Sequence, residues 1–172
     1  MAKKFGLIRA FALALGSMVM AAGLVAPAAS AAESRIAGAP VYCKIRIVSM
    51  ASGLTVRVKG TTLHADSAGT GAAEEFWVQH YDNGVVYLQS NANGNYVEIL
   101  DSTRRLYAEY PDKKINGQWR WEDVSPGART FRLIGSPGNY ARVEPSGDGL
   151  LRSDNQNRDN WSLFGYDVVF CL

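Results

Sequence analysis

Few side chains in this sequence could perform chemistry on a substrate. The histidines are His64 and His80, and no serine stands in the G-x-S-x-G turn of many serine hydrolases. His64 occupies a position that changes between the repeats described below, so we expect it to face outwards rather than to act as a base. These features predict that the protein is not an enzyme.

Three acidic residues recur at equivalent places, each after a Leu-x-small triplet: Asp66, Glu109 and Asp154. A glycosidase needs two carboxyl groups close together across a cleft. A threefold arrangement would instead spread these acids around the periphery. We expect each to accept backbone hydrogen bonds at the turn after its strand.

Two cysteines, Cys43 and Cys171, lie near the two ends of the repeat region. In an exported protein, such a pair is typical of a disulfide, and two buried free thiols are the alternative. The bond would require the first and last strands to be neighbours. Neither cysteine has another Cys or His near it in sequence, so no metal site and no cofactor are predicted.

The strongest candidate for a contact surface lies in the middle of the chain, where basic and aromatic residues occur together. Arginine and tyrosine supply much of the binding energy at interfaces, although charges on a solvated strand edge also prevent unwanted pairing. The predicted ligand-binding residues are Arg104, Arg105, Tyr107, Tyr110, Lys113 and Lys114.

The first 31 residues have the pattern of a signal peptide. Lys3, Lys4 and Arg9 form a basic start, a small-residue apolar stretch follows, and Ala29-Ser30-Ala31 supplies the cleavage pattern. We expect cleavage after Ala31, a short segment over residues 32–42, one folded domain over 43–172, and a secreted, extracellular protein. No second apolar run follows, so no membrane insertion is expected after removal of the signal.

The leader also accounts for the apparent basic character. The whole chain has 18 basic and 16 acidic residues, and removal of the leader leaves 15 basic residues against 16 acidic ones. A nearly neutral domain has no bulk charge with which to bind nucleic acid. The expected partner is therefore a glycan or an extracellular protein, and the expected state is a monomer.

A unit of about 40 residues occurs three times, which is an architecture signal. Leu63, Leu106 and Leu151 open the Leu-x-small-acid segments, 43 and 45 residues apart. Each is preceded by a Gly-x-x-apolar-charged-apolar segment and followed by an aromatic residue that we expect to open a strand: Phe76, Trp119 and Trp161.

Period-two alternation and Asn-Gly or Pro-Gly turns predict strands nearly throughout. The expected strands are 44–49, 54–58, 61–66, 75–81, 85–90, 95–99, 104–109, 118–123, 130–135, 139–143, 149–154 and 160–166, followed by a segment over 167–171 against the first strand. Three repeats of four strands predict an all-β protein with the β-trefoil fold, in which the three leucines meet near the axis, Val56, Val97 and Ala141 pack around them, and the aromatics form a second layer. A β-sandwich is the alternative.

The segment from Leu88 to Val97, with Leu106-Tyr107-Ala108-Glu109 and an aromatic strand after it, resembles the fascin-like (actin-crosslinking) β-trefoil family. The resemblance covers residues 45–166 and implies the fold and, by analogy, filament binding. Ricin-type trefoil lectins carry Gln-x-Trp in each repeat, whereas the comparable strands here read Glu75-Phe76-Trp77, Gln118-Trp119-Arg120-Trp121 and Asn160-Trp161-Ser162, without a Gln two residues before a Trp.

Three functions follow as hypotheses. The first is a secreted, non-catalytic module that binds carbohydrate or a protein at the cell surface. The second is actin-filament binding or crosslinking, and the third is protease inhibition through Lys113-Lys114.

Overall fold

The computed structural model describes residues 41–100, 102–134, 138–145 and 147–172. The predicted signal peptide, 1–31, and residues 32–40 of the predicted N-terminal segment lie outside these ranges. Within them, the chain is all-β, as predicted, and each helix is a single 3₁₀ turn of three residues, so no helix there is long enough to cross a membrane. The strands are β1 Val41–Ser49, β2 Thr55–Lys59, β3 Thr62–Ser67, β4 Glu75–His80, β5 Val86–Ser90, β6 Tyr96–Ile99, β7 Leu106–Tyr110, β8 Trp119–Ser125, β9 Ala128–Leu133, β10 Tyr140–Val143, β11 Leu151–Asn155 and β12 Phe164–Cys171.

Six of these strands form a closed barrel. In spatial order the antiparallel pairs are β1–β4, β4–β5, β5–β8, β8–β9, β9–β12 and β12–β1, which returns to the starting strand. Closure gives each barrel strand a partner on both sides and so limits the exposed edges that an open sheet would present.

The other six strands form three hairpins, β2–β3, β6–β7 and β10–β11, which we call the hairpin cap. Each hairpin contacts the next through one equivalent backbone hydrogen bond. The three bonds run from Ala65 N to Gly149 O (2.7 Å), from Ala108 N to Thr61 O (2.8 Å) and from Ser153 N to Arg104 O (2.7 Å). A threefold arrangement of this kind excludes the sandwich.

Two of the three acceptor positions of the hairpin cap, Gly149 and Arg104, have unusual backbone conformations. Gly149 has a φ of +75°, and a Cβ there would lie 2.6 Å from the Ala65 carbonyl oxygen. Its equivalent Arg104 has a φ of 57°, in the left-handed region that side chains rarely adopt. Arg104 therefore contributes to the hairpin cap through its backbone.

The centre of the barrel is filled by the predicted leucines. Leu63, Leu106 and Leu151 line one apolar space together with Ile47, Leu88 and Phe131, and the free volume left among them is about 10 Å³. Val56, Val97 and Ala141 are also fully buried in this core. The predicted convergence of the leucines is confirmed, and the interior has no room for a ligand larger than about one water molecule.

The predicted aromatic layer is wrong in the third repeat. Phe76 and Trp119 are fully buried, but their equivalent is Phe164 (1% exposed), not Trp161. Asp159 accepts hydrogen bonds from Trp161 N and Ser162 N and closes a 3₁₀ turn over Asn160–Ser162. This turn delays the strand, so β12 begins at Phe164 and includes residues 167–171.

The disulfide prediction is confirmed. Cys43 and Cys171 are bonded with an S–S distance of 1.99 Å, and they face each other in the register of β1 and β12. No cysteine is left free, so the alternative of two free thiols is wrong. Among the described residues, no group of three or more His, Cys, Asp or Glu side chains could hold a metal ion.

The recurrent acids do not bind turn backbones as predicted; two of them bind arginine. Arg57 Nε and Nη2 donate to the two Asp66 carboxylate oxygens at 2.7 and 3.1 Å. Arg142 binds Asp154 in the same way, at 2.6 and 3.0 Å. The arginine comes from the neighbouring strand of the same hairpin, so each ion pair links the two strands.

The Arg57–Asp66 pair should make stability depend on acid pH. Hydrogen bonding from Arg57 lowers the pKa of Asp66 more than burial raises it. A lowered pKa in the folded state means that this stabilisation is complete above the unfolded value near 3.8 and is lost as the pH falls through the folded value. We expect Asp66→Asn to be less stable than wild type at pH 7, with the difference in the free energy of unfolding shrinking as the pH falls below 3.8 in urea titrations.

A double-mutant cycle with Arg57→Leu is the control for this pH dependence. If the carboxylate acts through Arg57, the double variant should have the same pH profile as either single variant. Additive losses would contradict the pairing.

Candidate functional site

Five of the six predicted binding residues divide among three parts of the surface, and the sixth, Arg104, binds Ser153 through its backbone oxygen in the hairpin cap. Lys113 contacts a group of tyrosines, and Lys114 and Tyr110 lie beside Glu98. Arg105 lines a pocket on the outer side of the hairpin cap, and Tyr107 pairs with Thr62 in β3. The structure does not join these residues into one continuous contact site.

The most concentrated set of binding groups is formed by Tyr81, Tyr87, Tyr96 and Lys113, which we call the tyrosine cluster. The rings of Tyr81 and Tyr87 are 5.8 Å apart and those of Tyr87 and Tyr96 are 6.1 Å apart, both edge to face. Lys113 Nζ lies 5.2, 5.5 and 5.6 Å from the three ring centroids in sequence order. The ammonium group is therefore shared among three aromatic rings.

Strand pairing brings these tyrosines together. Tyr87 alternates with the buried Val86 and Leu88, so its ring is on the outer face of β5. Gln89 in β5 pairs with Tyr96 in β6, which puts the Tyr96 ring on the same face. Tyr81 follows β4, and Lys113 reaches the rings from the loop before the 3₁₀ turn Ile115–Gly117.

Each tyrosine hydroxyl in the cluster is held by a side-chain donor. Lys113 Nζ donates to Tyr81 OH at 2.6 Å. Gln118 Nε2 donates to Tyr87 OH at 2.9 Å, and Gln79 Nε2 donates to Tyr96 OH at 3.0 Å. The rings are half-buried, so the network fixes their orientation while leaving part of each ring accessible.

The field of the cluster favours the charged form of Lys113. Burial is the largest single influence and lowers the pKa of Lys113, but the hydrogen bond to Tyr81 and the fields of Tyr96, Tyr81 and Tyr42 together raise it above the ordinary value. The tyrosine cluster thus presents a protonated ammonium donor at neutral pH.

Beside the cluster, the middle repeat departs from the other two. Glu98 takes the position that Arg57 and Arg142 have in the first and third repeats. It is buried, and its carboxylate lies 3.5 Å from Lys114 Nζ. Lys114 Nζ also lies 3.1 Å from the centroid of the Tyr110 ring. Desolvation raises the pKa of Glu98, and the positive charge of Lys114 offsets this in part.

Glu98 should therefore reduce stability as it ionises. Because its folded-state pKa is raised, the folded state retains the proton longer than the unfolded state, and stability falls as the pH rises from the unfolded value near 4.5 through the folded value. We expect Glu98→Gln to be more stable than wild type at pH 7 and equally stable at about pH 3, measured by urea unfolding.

The matched control for Glu98→Gln is Glu75→Gln. Glu75 is bonded to Arg46 at 3.1 Å and lies 3.5 Å from Lys44, so its loss should lower stability at pH 7. Equal losses in both variants would show that Lys114 compensates fully for the burial of Glu98.

The three tyrosines and their glutamine partners were not predicted from the sequence. A usable signal was present in the comparison of repeats: Tyr87 is equivalent to Arg46 and Thr130, and Tyr96 is equivalent to Thr55 and Tyr140. These positions differ between copies, and only the middle repeat carries tyrosine at both, whereas the inward positions stay apolar.

No family model matches the sequence, and no curated protein matches it. Among solved structures, the Macrolepiota procera ricin B-like lectin in complex with lactose has a TM-score of 0.61 at 12% identity, covering 72% of this chain and 94% of that chain. SeviL bound to asialo-GM1 saccharide has a TM-score of 0.60 at 12% identity, covering 74% of this chain and 98% of that chain. BEL, a β-trefoil, has a TM-score of 0.62 at 9% identity, covering 74% of this chain and 93% of that chain.

At these identities the likeness concerns the fold and not the binding residues. These likenesses do not show that the chain belongs to the fascin-like family. The closed barrel, the hairpin cap and the solved structures agree on one architecture, and the fold of this chain is a β-trefoil.

Proposed function

We propose that the protein is a carbohydrate-binding module that recognises its ligand through the tyrosine cluster. The observation that carries this proposal is the group of half-buried tyrosine rings arranged around Lys113, with every hydroxyl held by a Lys or Gln donor. The barrel interior leaves about 10 Å³, so binding must take place at the surface.

The chemistry of the cluster suits a sugar. The C–H faces of a sugar ring pack against aromatic side chains, and tyrosine adds a hydroxyl at the edge of the same apolar surface. The amide group of Gln118 and the Lys113 ammonium supply further polar partners for sugar hydroxyls, while the buried Gln79 only holds Tyr96 in place. Because these groups are ordered before binding, little side-chain entropy is lost on association.

The known proteins of this fold add support. Two of the solved structures described above hold lactose and asialo-GM1 saccharide, so the β-trefoil fold is compatible with glycan binding. Fold alone does not imply function, so the proposal depends on the cluster.

Secretion is part of the same proposal. The leader over residues 1–31 has the pattern of an export signal, and the Cys43–Cys171 bond is of a kind that persists in oxidising compartments. A glycan at a cell surface or in the surrounding matrix is then the accessible ligand.

The structure favours this function over protease inhibition. A substrate-like inhibitor presents its basic side chain freely to the enzyme, whereas Lys113 is bonded to Tyr81 and Lys114 lies on the Tyr110 ring. Filament binding rests on the fascin-like resemblance, and the contacts described above do not add to it.

A glycan array followed by calorimetry with the best ligand tests the proposal. We expect Tyr87→Ala and Tyr96→Ala to weaken binding by about tenfold or more, because each removes an aromatic contact. Tyr96→Phe keeps the ring and should cost less than Tyr96→Ala.

Trp161→Ala is the matched control for the glycan experiment. Trp161 is a partly buried aromatic side chain in a separate surface pocket with Met50 and Asn160. Full binding by this variant, together with lost binding by the tyrosine variants, supports the cluster. Loss of glycan binding in Trp161→Ala, with full binding by the tyrosine variants, would place the binding site at the Trp161 pocket instead. If no glycan on the array binds, the proposed function is wrong.

A further inference from the structure

An open pocket of about 460 Å³ lies on the outer side of the hairpin cap. We call it the cap pocket, and it is separate from the tyrosine cluster. Its lining includes Lys59, Thr62, His64, Arg105, Glu144 and Arg152. All three hairpins contribute to it, so the site exists only where the repeats converge.

The residues of the cap pocket differ between repeats at positions whose inward neighbours are identical. Each of the three leucines at the barrel axis is followed by an outward residue, and these are His64, Tyr107 and Arg152. One residue before each leucine stand Thr62, Arg105 and Leu150. Packing in the core therefore explains why leucine is repeated. It does not explain why the residues that follow the leucines, His64, Tyr107 and Arg152, have three different polar side chains.

Two arginines in the cap pocket face each other. Arg105, which directly precedes β7, and Arg152 in β11 are partners in an isolated antiparallel bridge. Side chains of directly opposed residues lie on the same face about 5 Å apart at Cβ, where like charges are unfavourable. An anion between the two guanidinium groups would remove this repulsion.

The existing partners of these arginines leave them incompletely satisfied. Arg152 Nε lies 3.3 Å from Glu144 Oε2, and Arg152 Nη1 donates to Thr103 O at 2.9 Å. Arg105 has no ion-pair partner in the described ranges. Arg105 Nε is shielded from solvent and has no hydrogen-bond acceptor among the residues that the structure describes. Arg152 Nε is also shielded, and its contact with Glu144 is an ion pair without hydrogen-bond geometry.

His64 has a positioning role at the wall of the cap pocket. It is buried, with Nε2 2.8 Å from Thr62 Oγ1 and Nδ1 3.2 Å from the backbone oxygen and 3.2 Å from the carboxylate of Asp148. Both ring nitrogens are therefore occupied. The contact holds Asp148, and the turn that carries it, against β3 at the edge of the pocket.

We propose that the cap pocket binds an oxyanion, a carboxylate, sulfate or phosphate group, between Arg105 and Arg152, with Lys59 at its rim. Guanidinium groups suit such ligands because their paired N–H donors match two oxygens of one anion. Glu144 competes for Arg152 when the pocket is empty. This proposal does not depend on glycan binding at the tyrosine cluster.

The probes are sodium sulfate, phosphate and acetate, each compared with sodium chloride at equal ionic strength. Amide NMR shifts of Thr62, Arg105 and Arg152 should move and saturate with at least one of the three anions and not with chloride. A preference for acetate indicates a carboxylate ligand, and a preference for sulfate or phosphate indicates a tetrahedral one; either result supports an oxyanion site.

Two variants should change the affinity in opposite directions. Arg105→Ala should weaken binding about tenfold, since a charge-assisted bidentate contact is lost. Glu144→Gln should tighten binding, by about threefold, because it frees Arg152 without removing packing. Arg120→Ala, an exposed arginine on β8 outside the pocket, should leave the affinity unchanged.

Shifts that rise linearly without saturation, or equally in chloride, would overturn the proposal. So would an Arg105→Ala variant that binds like wild type. Should that variant fold poorly, Glu144→Gln decides alone, and unchanged or weaker binding by it contradicts the competition between Glu144 and the anion.

Discussion

Replacing both cysteines by alanine, in C43A/C171A, should lower the free energy of unfolding by about 3–5 kcal/mol. The bond joins residues 128 positions apart, which restricts nearly the whole unfolded chain. Chain entropy alone gives about 5 kcal/mol for a loop of that size, and measured losses are often smaller. Urea unfolding at neutral pH measures the loss directly.

The paired strands explain why the fold should survive this change. β1 and β12 stay joined along seven residue pairs, and β1 is also paired with β4. The end of β12 is more vulnerable, because Val168, Phe170 and Leu172 are exposed. We expect amide exchange in β12 to increase more than exchange in β5.

Reductant provides the control for the cysteine variant. It should destabilise wild type and leave C43A/C171A unchanged. A loss below about 1 kcal/mol would mean that the unfolded chain is already restricted without the bond.

The second large effect is expected at the aromatic position that the sequence analysis misplaced. Phe164→Ala should cost about 3–5 kcal/mol, because it empties a fully buried ring site in the barrel core. Trp161→Ala should cost less than half as much, since Trp161 is only partly buried on the 3₁₀ turn. Paired urea titrations of the two variants test the assignment.

The ranking of these two variants is the decisive result. A larger loss for Trp161→Ala than for Phe164→Ala would restore the original alignment of the third repeat. Trp119→Ala in the second repeat gives a reference, because Trp119 is also fully buried and should behave like Phe164.

Much of the fold was predictable because all three repeats must fill the same core with side chains of similar size. Leu63, Leu106 and Leu151 occupy equivalent inward positions, and a barrel of fixed width accepts similar volumes at each. The strand pattern, the turns and the cysteine pair likewise depend on local chemistry that can be recognised in the sequence.

The prediction for Trp161 was wrong because a local turn forms where a strand was expected. An aromatic residue at the expected spacing was assigned to the start of the strand, but Asp159 and Ser162 form a reciprocal cap that holds a turn there instead. The acids were misassigned for a related reason. Arg57 and Arg142 are adjacent to Asp66 and Asp154 only across a hairpin whose register includes an irregularity.

The sequence by itself determined the threefold β architecture, the leucine-lined centre and the pairing of Cys43 with Cys171, because burial and cross-linking constrain residues at every repeat in the same way. The tertiary structure alone decided which outward side chains meet. Tyr87 and Lys113 come together, as do Arg105 and Arg152, through strand register and the convergence of hairpins distant in the chain. Outward positions share no packing constraint, so their spacing in the sequence carries no record of their neighbours in space.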